Sequence, residues 1–167
     1  RFGYLPTWRN YSEDGGSLRG WWYTTWMLHM EVDFLTTLRS ATGLDWFETE
    51  TWLEALVDWY LLGMRGDDRF CASGDSLIME GLNYFDWISA LSIAHHTRSP
   101  KAKWLAEKIA GTISVWSLYN VYDILWNDPD VEAEAPDGAL SRLFRSPGHA
   151  IMRSSWQSDA VTADFRA

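Results

Sequence analysis

The stretch Asp14-Gly15-Gly16-Ser17-Leu18-Arg19-Gly20-Trp21-Trp22-Tyr23 runs a glycine-rich turn straight into an aromatic helix start. Its glycines lack a Cβ, so the backbone bends tightly and a ligand approaches it closely. Two tryptophans and a tyrosine then stand where a flat, weakly polar ligand stacks. A sugar ring suits them better than a phosphate, which calls for a Lys beside the glycines. No Lys lies in this stretch.

Downstream of the turn, residues 20–42 read as a helix. Trp22, Trp26, Met30, Phe34 and Leu38 recur every four residues and lay an apolar stripe along one side of it. Gly43 is placed to end it. Asp45 and Glu48 have capping-box spacing, so a second helix is expected after Asp45, burying Trp52, Leu53, Leu56, Val57 and Tyr60. The Gly-, Asp- and Arg-rich residues 63–75 read as a loop. A third helix is expected from about Ser76 to His96. Ser99 and Pro100 then read as the N-cap and first residue of a fourth, running to about Trp126. Four helices joined by short or medium loops make a chain of antiparallel helical hairpins. No sequence repeat of fixed period is present.

The pattern changes near Asn127. The acidic run through Asp137 reads as a surface linker. After Ser146-Pro147-Gly148 the helical period gives way to two strands, His149 to Trp156 and Ala160 to Arg166, around a Gln157-Ser158-Asp159 turn. A lone hairpin is marginal in water. The expected fold is therefore mainly α, the end of a helical domain over residues 1–146 followed by the truncated start of a β domain over residues 147–167.

Composition narrows the function. The chain has 167 residues, 47% of them hydrophobic and 22% charged, which suits one globular core. Twelve tryptophans exceed what a core of this size needs and point to a surface built for stacking. The net charge of −9 argues against a nucleic-acid partner and means that any acidic substrate must be drawn by locally clustered cations. No apolar run is long enough to predict a membrane span. The single cysteine, Cys71, excludes an internal disulfide and a Cys-based zinc site.

Individual residues offer few alternatives. His95 and His96 are neighbours on a helix and point about 100° apart, so one metal ion does not easily use both. His29 and His149 have no ligand partner at metal spacing, and all four histidines read as structural or surface residues. Glu13 with Asp14, Asp67 with Asp68, and Asp75 are carboxylates from which a glycosidase acid/base pair is in principle assembled; their plainer reading is solvated loop residues, with Asp75 an N-cap. Cys71 has no His partner nearby in sequence, and Ser17 is not at the centre of a nucleophile elbow. In the turn itself, Arg19 is the candidate partner of a substrate carboxylate, Trp21 or Trp22 the stacking platform, and Tyr23 the proton donor or acceptor. The plainer reading is a helix start with packed aromatics.

Taken together these segments resemble the heparinase II/III-like polysaccharide lyases and the related alginate lyases. DGGSLRGWWY is similar to that family's D-G-x-x-x-E-G-x-x-Y stretch, MRGDDRFCASGDS (residues 64–76) to its loop leading to a Gly-Asp pair, and PGHAIMRSSWQSDAVTADFRA (residues 147–167) to the opening of its sandwich domain. The resemblance implies the C-terminal part of an α/α toroid followed by the first strands of an antiparallel β-sandwich, with an acidic polysaccharide or oligosaccharide bound and no nucleic acid. It implies β-elimination at a uronic acid by a carbon–oxygen lyase, secreted or periplasmic. In that chemistry the carboxylate is neutralised, a base removes the C5 proton and an acid protonates the leaving oxygen.

The family's tyrosine falls on Tyr23. A tyrosine serves as base where a nearby cation favours the phenolate, and Arg19 is the candidate cation. Asp14 and Asp75 complete, with Arg19, Trp21 and Trp22, the substrate-binding set. Arg19 stands where the family has Glu. The family's other catalytic groups, and any structural metal of the sandwich, lie outside this sequence; none is expected within it, so the isolated chain is expected to be inactive. The alternatives are an α/α-barrel glycoside hydrolase and a non-catalytic carbohydrate-binding homologue.

Overall fold

A computed structural model of the chain describes residues 4–71, 81–113 and 121–167. The fold is mainly α with one three-stranded antiparallel sheet. Its order is α1 (Tyr4–Ser12), α2 (Gly20–Thr42), α3 (Trp52–Gly63), α4 (Tyr84–Thr97), α5 (Pro100–Thr112), α6 (Val121–Trp126), β1 (Ser141–Phe144), β2 (His149–Arg153) and β3 (Thr162–Arg166). No helix among the described residues is long and apolar enough to cross a membrane. The chain divides into two compact units, residues 1–24, 51–81 and 136–167 in one, residues 25–50 and 82–135 in the other.

The first unit is built on α3. That helix is apolar nearly all round and buries Trp52, Leu53, Leu56, Val57 and Trp59 through Gly63, as a helix must when it has neighbours on several sides. The sheet packs on it. Strands β1, β2 and β3 lie side by side, with Phe144 opposite His149 and Ile151 opposite Asp164. Alternation sends Phe144, His149 and Ile151 inward, all fully buried, and leaves Leu143, Met152 and Phe165 exposed on the other face. Arg153 donates to the carbonyls of Leu61 at 2.7 Å and Met64 at 3.2 Å. Those carbonyls sit at the C-terminal end of α3, where a cation is favoured by the helix dipole and orphan acceptors need donors.

In the second unit α4 and α5 form a helical hairpin. Asn83 and Asp86 make a reciprocal capping box at the start of α4. Arg98 turns the chain in the left-handed region, and the Ser99 hydroxyl caps α5 by accepting from Ala102 N–H, with Pro100 as its first residue. Deep inside, Thr25 donates to Asp86 at 2.6 Å.

Several expectations are corrected. The stripe of Trp22, Trp26, Met30 and Phe34 faces solvent, with Met30 58% exposed. The buried face of α2 is Trp21, Thr24, Thr25, Leu28, Glu31, Val32 and Leu35, a set spaced three and four apart whose threonines and glutamate disguise it. The Asp45–Glu48 spacing does not open a helix: Asp45 accepts from Phe47 N–H in a turn, and α3 begins only at Trp52. Position 81 is in a β-bridge with Arg69, so α4 starts at Tyr84 and not near Ser76. Residues 72–80 and 114–120, within which parts of the expected third and fourth helices fall, lie outside the described residues. Helix α1 and strand β1 were not anticipated; β1 lies between the acidic run that ends at Asp137 and the first expected strand at His149.

Candidate functional site

The glycine-rich turn is held from three sides. Gly15 has φ +87°, and a Cβ there would lie 2.2 Å from the backbone of Ala55 on α3, so only glycine fits. The Asp14 carboxylate accepts from Gly16 N–H at 3.2 Å, from Ser146 N–H at 3.3 Å and from Arg145 N–H. Ser17 is buried and its hydroxyl accepts from Thr24, 2.6 Å away. Arg166 on β3 donates to the carbonyls of Ser17 and Leu18, at 2.9 and 3.2 Å. The turn is thus a fixed platform on which the start of α2 is mounted.

Each candidate residue then has a place. Trp21 is 1% exposed. It stacks on Trp59 with ring centroids 3.5 Å apart and on Phe70 at 5.0 Å, and meets Tyr60 edge-on. Its ring lies over Gly63, where an added Cβ would stand 2.1 Å from it. Trp21 is therefore core, and the expectation that it offers a stacking face is corrected. Asp14 is likewise a clamp on the β1–β2 turn; its carboxylate is taken up by backbone N–H groups, which corrects its assignment to substrate. Asp75 lies outside the described residues. Trp22 and Tyr23, in the first turn of α2, are 43% and 38% exposed.

Arg19 immediately precedes α2, with its guanidinium carbon 4.5 Å above the Trp8 ring, a cation–π contact. Trp8 in turn stacks on Trp52 at 4.7 Å. A small groove of about 140 Å³ opens here, lined by Thr7, Trp8, Tyr11 and Ser12 of α1 and by Ser17, Leu18 and Arg19 of the turn. The structure therefore adds α1 to the candidate site. The signal was present, since Tyr4, Trp8 and Tyr11 recur at helical spacing, but a short amphipathic stretch ahead of a glycine turn reads weakly.

A second cavity of the same unit, about 570 Å³, is lined by Arg65, Asp67, Cys71, Asp159, Thr162 and Asp164 among others. Behind it is a buried relay. Trp59 N–H donates to His149 Nδ1 at 3.0 Å, and His149 Nε2 bonds to Asp164. An indole N–H only donates, so Nδ1 is the acceptor and the imidazole proton sits on Nε2, pointed at the carboxylate. Cys71 is buried and free; burial first, then the charge of Asp164, push its thiol up to about 11. It stays protonated at neutral pH and is a poor nucleophile.

Two further histidines lie on α4, where their rings pack against neighbours. His96 stacks on Phe47 at 3.8 Å and meets His95 edge-on. Among the described residues no three His, Cys, Asp or Glu side chains gather where they could hold a metal ion.

No protein-family model, curated protein or solved structure matches this chain.

Proposed function

We propose that this chain is part of a polysaccharide lyase that cleaves uronic-acid-containing glycans by β-elimination, its helices belonging to an α/α toroid and its sheet opening a β-sandwich. The observation that carries the reading is the placement of three side chains around the start of α2. Arg19 lies at the edge of an aromatic groove, and the exposed Trp22 and Tyr23 follow within one helical turn. An acidic sugar needs a cation for its carboxylate and an aromatic face for its ring. Elimination further needs a proton acceptor near the C5 carbon, and Tyr23, 38% exposed, is the candidate for that work in its phenolate form.

In this reading Arg19 neutralises the uronate carboxylate, which acidifies the C5 proton. Tyr23 takes that proton. The electron pair forms the C4–C5 double bond as the glycosidic oxygen departs, and an acid protonates that oxygen. Arg19 also supplies local positive charge that the overall −9 lacks. A retaining or inverting hydrolase is less well supported, because none of the described residues lining the groove is a carboxylate. A non-catalytic sugar-binding protein is the second reading. It is favoured by Arg19 standing where the resembled family carries Glu.

The test is binding followed by turnover. The 167-residue chain is expected to bind oligouronates, and Arg19→Ala is expected to abolish that binding. The full-length protein is expected to release products with the ultraviolet absorbance of an unsaturated uronide. Binding without that absorbance across alginate, pectin, heparan and chondroitin substrates selects the sugar-binding protein. Absence of binding rejects both readings.

A further inference from the structure

With Trp21 in the core, the groove at Arg19 needs another aromatic wall, and α1 provides one. Tyr11 is 54% exposed and lines the groove. Thr7, Trp8, Tyr11 and Ser12 line the groove from one side of α1, where residues three and four apart on a helix are neighbours. Trp8, 4% exposed, lies below the guanidinium. Its stack on Trp52 fixes it there. The lining of the groove thus combines a cation, an exposed phenol ring and the hydroxyl side chains of Thr7, Ser12 and Ser17.

Each part matches a part of one ligand. A carboxylate answers Arg19. The C–H face of a pyranose answers an aromatic ring, and its hydroxyls answer Thr7 and Ser12. The volume, about 140 Å³, suits one sugar ring and not an extended oligosaccharide. A phosphate would use the cation and leave the ring idle. An apolar ligand would leave the cation idle.

Resting on the lyase reading above, we propose that Tyr11 is the stacking residue of a subsite for a single uronate, held between the Tyr11 ring and the Arg19 guanidinium. Tyr11 sets specificity for the ring; Arg19 sets specificity for its charge.

Methyl β-D-glucuronide and methyl β-D-glucoside, with saturation-transfer NMR on the 167-residue chain, test this. The glucuronide is expected to bind with its pyranose C–H protons saturated, and the glucoside to bind about tenfold more weakly. Tyr11→Phe is expected to keep glucuronide affinity within about threefold, and Tyr11→Ala to weaken it about tenfold and remove saturation of the C–H face. Arg19→Ala is expected to erase the preference for the glucuronide. Tyr11 lies mostly in solvent, so its variants are expected to melt like the parent, which a thermal scan checks. If Tyr11→Ala binds the glucuronide as the parent does while Arg19→Ala abolishes oligouronate binding, the subsite assignment is wrong and the lyase reading survives. If neither glycoside nor oligouronate binds, both are overturned.

Discussion

Asp14 and Tyr23 are nine positions apart in sequence and opposite in character. Asp14 gives its carboxylate to backbone N–H groups of its own turn and of the β1–β2 connection. Truncating it leaves those donors without their charged acceptor, so Asp14→Ala is expected to cost about 1–3 kcal/mol in urea denaturation. Tyr23 projects from the same platform into solvent. Tyr23→Phe removes one hydroxyl from a ring that is 38% exposed. On the lyase reading, Tyr23→Phe is expected to abolish turnover of uronate glycans while leaving their affinity intact, read as a loss in kcat without a change in Kd. Turnover equal to the parent's removes Tyr23 from the chemistry. The sequence marked both residues by their place in one motif. It had no means of separating them, because Asp14 finds two of its partners more than 130 positions away.

Among the elements, α2 meets α3 through one tight contact. The Trp21 ring lies against Gly63, the last residue of α3, and a methyl group there would stand 2.1 Å from the indole. Gly63→Ala is therefore expected to destabilise the protein by at least about 1–3 kcal/mol through overpacking, measured by denaturant midpoint. The same contact shows why α2 was half legible. Its length and its end at Gly43 followed from pattern. Its buried face did not, because Trp21 and Trp22 are alike in composition, and the four-residue series from Trp22 to Leu38 offers more hydrophobic mass than the true core face. Threonine and glutamate are buried on that face, and Thr24 and Thr25 are tolerated there because each donates a hydrogen bond to a named acceptor. The start of α5 was legible outright, since Ser99 and Pro100 act locally. The start of α3 was not; the Asp45 side chain is spent on a turn.

At the scale of the whole molecule, titration of His96 links acidity to stability. Burial, with the charges of His95 and Arg39 added, lowers its pKa from 6.5 to about 4. Unfolded chain therefore binds a proton between those values that folded chain refuses. Stability from this group is complete above pH 6.5 and is lost as pH falls towards 4. The melting temperature is expected to drop across that window, and His96→Gln is expected to flatten that part of the profile. A parent profile that is level between pH 6.5 and 4 contradicts the assignment. The overall plan, helices first and an antiparallel sheet last, was readable from the change of period near residue 147. Strand β1 was not, because Ser141-Arg142-Leu143-Phe144 has only its pairing with β2 to declare it a strand.

The indoles of Trp21 and Trp59, 3.5 Å apart with planes inclined by 21°, have an optical consequence. Transition dipoles that close and not parallel couple as an exciton, so the folded chain is expected to show a pair of circular-dichroism bands of opposite sign that neither ring gives alone. That couplet is a private clock for the sheet-bearing unit. It fades when this stack and the Trp8–Trp52 stack of the same unit open, whatever the helical signal from the rest of the chain is doing.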